Sequence, residues 1–276
     1  MENMPAHYNI SFIQPFFINA CAGKYLKKCI NDTAIDHVYT FRSQEDCEKA
    51  IIVPDGCIDI EFRCDPDNPD AFLCGTVTSG QPRPFRAGVD YFGVRYRPRC
   101  LTDRLGVSSS ELIDSRISLR LVSSEGERLI QQVVEAEDFS HRVEALLHST
   151  INAKISLTEP FESDLVNGIL NIIIARKGDI RVNELALFVG YSVRHLNSLF
   201  VRYLGIGPKT FCRFIRFQNL LNHIGGFKGA LSQAAVEFGY FDHSHMAREF
   251  KAYTTLTPKK YLQEVGRLSY ENSDEA

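Results

Sequence analysis

Two sets of polar side chains near the end of the chain are fitted to the same chemistry. Arg194, Asn197 and Ser198, with Arg202 farther along, form one set, and His243, Ser244 and Arg248, with Lys251 beyond, form the other. A guanidinium can bond bidentately to the O6/N7 edge of guanine and a carboxamide to the N6/N7 edge of adenine. Arg202 and Lys251 suit phosphate better, because most protein–DNA hydrogen bonds go to the backbone. Val201, between the first set and Arg202, offers only apolar contact. His243 and His245 are two residues apart and so point to different helix faces, which argues against a metal pair.

A third set lies in the front half. Asp55 and Asp59 flank a turn and a strand, while Arg95 and Arg97 alternate with Val94 and Tyr96 and would share one strand face. Paired arginines could hold a carboxylate or phosphate ligand. The other reading is Asp–Arg pairing that ties the fold together. Eight cysteines, Cys21, Cys29, Cys47, Cys57, Cys64, Cys74, Cys100 and Cys212, include no CxxC pair. In a chain with no export signal they read as reduced thiols that pack as small apolar groups. Cys57 or Cys100 could alternatively serve as the acceptor of a DNA-guided alkyl-transfer or repair protein. No base is spaced to activate either thiol and no phosphate-cradling glycine loop appears, so a non-enzyme without cofactor or metal is expected.

Charge separates the chain into two parts. The total is −3, but residues 164–268 hold 14 Lys and Arg against 7 Asp and Glu, whereas residues 1–163 hold 17 against 24. A basic module behind an acidic one is what a polyphosphate partner needs for counterion release. At 276 residues and 44% hydrophobic content there is enough chain for two cores. The apolar runs are too short to span a bilayer, so the expectation is a cytoplasmic protein with no membrane partner.

Residues 8 to about 100 read as short strands, such as Cys57 to Phe62 and Tyr91 to Tyr96, separated by turn formers such as Pro54-Asp55-Gly56. That spacing suggests a small barrel or sandwich. Helical spacing then takes over, with amphipathic helices expected at Glu125 to Glu135 and Phe139 to Asn152, and a linker over 153–163 around Pro160. The last third is helical and repeats one layout. Val182 to Phe188 runs through Gly190-Tyr191 to Ser192, the N-cap of a helix ending near Leu204; Leu231 to Glu237 runs through Gly239-Tyr240-Phe241 to Asp242, the N-cap of a helix ending near Tyr253. Ala186 and Ala235, each four residues before its turn glycine, sit where paired helices cross closely. A long helix beginning at Pro208 joins the copies. Two copies in a basic segment are far more specific than one helical hairpin.

The string Phe238-Gly239-Tyr240-Phe241-Asp242-His243-Ser244-His245-Met246-Ala247-Arg248-Glu249-Phe250-Lys251, closing with Thr257-Pro258-Lys259-Lys260-Tyr261, resembles the second-motif signature of the AraC/XylS family of bacterial transcription regulators. Thr255 stands where that family usually has glycine, Leu262 where it often has arginine, and Ala234 where a larger aliphatic is common. The front half, through Val53 to Phe62 and Gly93 to Pro98, resembles the small β-barrel domain of a poorly characterised branch. The resemblance implies an α+β multidomain chain: a cupin-like barrel as sensor over 1–124, a helical dimerisation segment over 125–152, and a DNA-binding domain over 164–268 with helix-turn-helix units at 182–204 and 231–253. It further implies double-stranded DNA as partner at two adjacent major-groove segments, a homodimer and ligand sensing, with activator among the roles it admits and repression left open. RNA polymerase and a small-molecule effector are the remaining partners it admits.

Overall fold

The structure is a computed structural model that describes residues 12–16, 25–30, 34–44, 46–98, 105–156 and 160–264. The chain divides into two compact units, one formed chiefly by residues 14–158 and the other chiefly by residues 159–201 and 206–267.

The first unit is built on antiparallel strands. Strands β1 (Tyr25–Lys28), β2 (Ile35–Arg42), β4 (Ile58–Cys64), β5 (Asp70–Cys74), β7 (Asp90–Tyr96) and β8 (Arg116–Ser118) form one sheet in the order β1-β2-β7-β4-β5-β8. Strands β3 (Cys47–Ile52) and β6 (Gln81–Phe85) pair separately. Among the described residues the two ladders do not join into a closed ring. β7 lies between β2 and β4, and its register sets Val94 against Val38 and Ile60, and Arg95 against His37 and Asp59.

One face of the large sheet carries Val38, Ile60, Phe62, Phe92 and Val94, all fully buried. The helices Gly126–Glu135 and Phe139–Leu147 cover that face with Leu129, Ile130, Val133, Val143 and Leu146. Their apolar stripes therefore lie on the chain's own sheet. The second helix is shorter than its expected end at Asn152. Ser149 interrupts it by donating to Leu146 O at 2.6 Å and accepting from Asn152 N at 3.0 Å, and a new helix, Thr150–Ser156, begins. Segment 153–163, expected as linker, thus contains the end of that helix and the start of the next, Pro160–Ala175.

The second unit is helical throughout: Pro160–Ala175 (α1), Val182–Val189 (α2), Val193–Leu204 (α3), Pro208–Ile224 (α4), Leu231–Glu237 (α5), His243–Thr254 (α6) and Pro258–Glu264 (α7). Pro208 takes the first position of α4, where its missing N–H leaves no intrahelical bond unmade. α4 is the spine: Phe211 meets Phe200 edge-on at 6.0 Å, Phe214 meets Tyr253 at 5.8 Å, and Phe217 meets Phe250 and Tyr253 at 5.6 and 4.9 Å. Phe250 carries the chain of rings on to Tyr261 of α7. Edge-to-face pairs fix ring orientation as well as burying area, so α3 and α6 are both held against one central helix.

Candidate nucleic-acid interface

The two turns that aim α3 and α6 are built alike. Gly190 and Gly239 both take the left-handed conformation, φ 74° and 75°, which glycine adopts without a Cβ penalty. In the first turn Tyr191 N donates to Ala186 O at 3.0 Å, and in the second Tyr240 N donates to Ala235 O at 2.8 Å. Gly190 N and Gly239 N donate to Leu187 O and Val236 O. Ala186 and Ala235 are buried, consistent with close helix crossing. The following helix is capped in both cases: Ser192 Oγ accepts from His195 N at 3.2 Å, and Asp242 Oδ1 accepts from His245 N at 2.6 Å.

With caps and turns fixed, each helix divides into an inner and an outer face. Leu196, Leu199 and Phe200 of α3, and Met246, Phe250 and Tyr253 of α6, are buried. Arg194, Asn197, Ser198 and Arg202 are exposed, as are His243, Ser244, Arg248 and Lys251. Val201 shares the outer face at 45% exposure, and Ala247 is half-buried. Arg194 and Arg248 make no hydrogen bond or ion pair among the described residues. Asn197 Nδ2 donates to Val193 O at 3.0 Å, a local bond it would exchange to reach a base edge. The Arg202 guanidinium lies 5.5 Å from the ring centre of Tyr203.

His195 and His245 are held against the turn aromatics. His195 stacks on Tyr191 at 4.8 Å and His245 meets Tyr240 edge-on at 5.5 Å. No group of three or more His, Cys, Asp or Glu is arranged to hold a metal ion among the described residues. The periodic reading did not single out Leu187, Phe188, Val236 and Phe241, which are 85%, 67%, 72% and 89% exposed around the two turns. The signal was present in α2, where Leu187 and Phe188 fall off the stripe made by Val182, Leu185, Ala186 and Val189.

The front-half set is arranged differently. Arg95 is 3% exposed, and its guanidinium donates through Nε and Nη2 to Asp59 at 2.9 and 2.8 Å and pairs through Nη1 with Asp55 at 2.9 Å. Asp55 also accepts from Gln14 Nε2 at 2.7 Å and from Cys57 N at 2.9 Å. Burial pushes the Asp59 carboxyl up while Arg95 pulls it back. Arg97 follows the strand, and its amide donates to Ala34 O at 2.8 Å. Arg95 thus already has all three guanidinium nitrogens on protein carboxylates. The adjoining cavity, about 20 Å³, has room for roughly one water. Cys57, on the same cavity wall, is buried and its thiol is pushed well above the ordinary range by desolvation, the reverse of nucleophile activation. Cys100 lies outside the described residues.

Two stretches of the chain match family models. Residues 185–264 match the model of a helix-turn-helix domain, and residues 32–118 match a domain of unknown function. Uncharacterized HTH-type transcriptional regulators of Staphylococcus aureus strains MSSA476 and MRSA252 are each 30% identical over 83 residues, 30% of this chain. The chain spans only 11% of the length of these relatives. Among solved structures, ToxT from Vibrio cholerae aligns over 87% of this chain and 98% of its own at 11% identity, TM-score 0.44. A transcriptional regulator with an AraC-type DNA-binding domain from Chromobacterium violaceum aligns over 38% of this chain and 99% of its own at 17% identity, TM-score 0.34. The chain therefore carries a helix-turn-helix domain behind a β domain of a separate family.

No helix among the described residues is long and apolar enough to cross a membrane.

Proposed function

We propose that the chain is a sequence-specific DNA-binding transcriptional regulator. Arg194, Asn197 and Ser198 read one major-groove segment, His243, Ser244 and Arg248 read the next, and Arg202 and Lys251 hold phosphates. The observation that carries this reading is the repeated turn: two capped helices, each with a buried apolar face and an exposed polar one, packed on the same α4 spine. Two probes on one body suit successive grooves on one DNA face, about one turn or ~34 Å apart. Such a module needs no symmetric site.

The β unit is the controlling half in this reading, acting through an effector or through association with a second copy. An effector that engages Asp55, Asp59 or Arg95 has to exchange bonds that these residues already make with one another.

The test is selection from a random duplex pool by the full chain. An enriched site with two short blocks is expected, with Arg194→Ala blurring one block and Arg248→Ala the other. No enrichment over the starting pool, or wild-type blocks from both variants, overturns the reading.

A further inference from the structure

Beside the outer face of α6 lies an open groove of about 750 Å³. Its walls come from three segments far apart in sequence: the start of α2, the first half of α4, and α6. They contribute Arg181, Lys209, Arg213, Arg216 and Arg248, against the single carboxylate of Glu249.

These charges are not equivalent. Arg213 Nε donates to the buried Glu249 at 2.6 Å, so that pair cancels. Arg216 donates through Nη2 to Gly178 O at 3.1 Å, and its buried Nε has no hydrogen-bond partner among the described residues. Arg181, Lys209 and Arg248 are exposed and have no carboxylate within 4.0 Å among the described residues. Arg181 is also the N-cap residue of α2 and makes no side-chain cap, so the side chain is not engaged with that helix's first N–H groups. The groove is therefore lined by exposed cations from three segments, among them Arg248, already on the outer face of α6.

We infer that this groove seats the sugar–phosphate backbone of DNA beside the major-groove segment that α6 reads, with Lys209 and Arg181 as its phosphate ligands. The inference rests on the regulator reading above and adds to it a contact that carries no base information. A single small anion would fill only a small part of about 750 Å³, whereas a polyphosphate strand can meet exposed cations contributed by three separate segments.

The experiment measures affinity of the full chain, across a range of salt concentrations, for the duplex that it enriches from a random pool. Lys209→Gln and Arg181→Gln should each lower the slope of log affinity against log salt by about 0.9, the loss of one phosphate contact, with the preferred bases unchanged. Lys209→Arg should keep the wild-type slope. Both positions are exposed and unpaired, so folding is not at stake as it would be at Arg213, whose loss strands Glu249. Wild-type slopes in both Gln variants, with wild-type binding intact, overturn the groove assignment and leave the regulator reading standing. Absence of salt-dependent binding by the wild type overturns both. Saturable binding of inorganic phosphate or pyrophosphate that depends on Lys209, with the DNA slope unaffected by its loss, overturns the DNA assignment in favour of a small-anion site.

Discussion

In the β unit Arg95 is wedged between Asp55 and Asp59, and Arg83 and Arg116 converge on Glu61 at 3.2 and 2.8 Å. In the helical unit Arg181, Arg194, Lys209 and Arg248 stand exposed with no carboxylate near them among the described residues. The contrast separates two uses of one residue type. A buried guanidinium has lost its water and persists only because carboxylates replace it, so removing one partner strands the others. An exposed, unpaired guanidinium contributes little to folding and keeps its hydrogen-bonding fork for a ligand. Which use applies follows from burial and partners, neither of which a count of arginines reveals.

The contrast can be broken most forcefully at Arg95. Arg95→Leu should cost about 3–5 kcal/mol, because two carboxylates lose their shared partner in a buried site; urea unfolding of the full chain reads this directly. A change under about 1 kcal/mol would mean the network does not hold the sheet. At the opposite pole, Arg194→Ala and Arg248→Ala should leave stability within about 0.5 kcal/mol. They should nevertheless lose about 1–3 kcal/mol of base discrimination in competition binding.

A smaller effect sharpens the account of the second helix-turn-helix unit. Thr255 caps α6 at φ 64°, in the left-handed region that a β-branched residue enters only under strain. Thr255→Gly should raise the melting temperature, by an amount equivalent to about 1 kcal/mol. An unchanged or lower value would show that the bonds of the neighbouring Thr254 Oγ1 to Phe250 O and Leu256 already absorb the strain.

The smallest effect is on pH. Burial lowers His37 to about 4, opposed by its bond to Asp36 and reinforced by Lys27 and Arg95. The unfolded chain takes up this proton near the ordinary value of about 6.5, whereas the fold resists it. Stability should therefore fall as pH drops from about 6.5 to about 4, and His37→Gln should flatten that part of the profile. An identical slope in the variant would place the proton uptake elsewhere.

Much of the geometry of the two helix-turn-helix units was legible in the sequence because its signals are local. Ser192 and Asp242 lie three residues before the amides they cap, Gly190 and Gly239 mark their own turns, and the outward faces follow from a period of 3.6. The break at Ser149 was hidden, because a serine that bonds Leu146 O looks in sequence like any other polar position on a helix. The pairing of β3 with β6 apart from the main sheet was hidden too, since strand register is a long-range property. The groove had no sequence signal at all: Arg181, Lys209 and Arg248 become neighbours only when α2, α4 and α6 pack.

The central claim is that α3 and α6 are two probes fixed on one body. Its most direct test inserts half a helical turn, about five base pairs, between the two blocks of the enriched site. The account predicts loss of specific affinity to the level of unrelated duplex, because the second block then faces away from α6. Undiminished affinity for the lengthened site would contradict it.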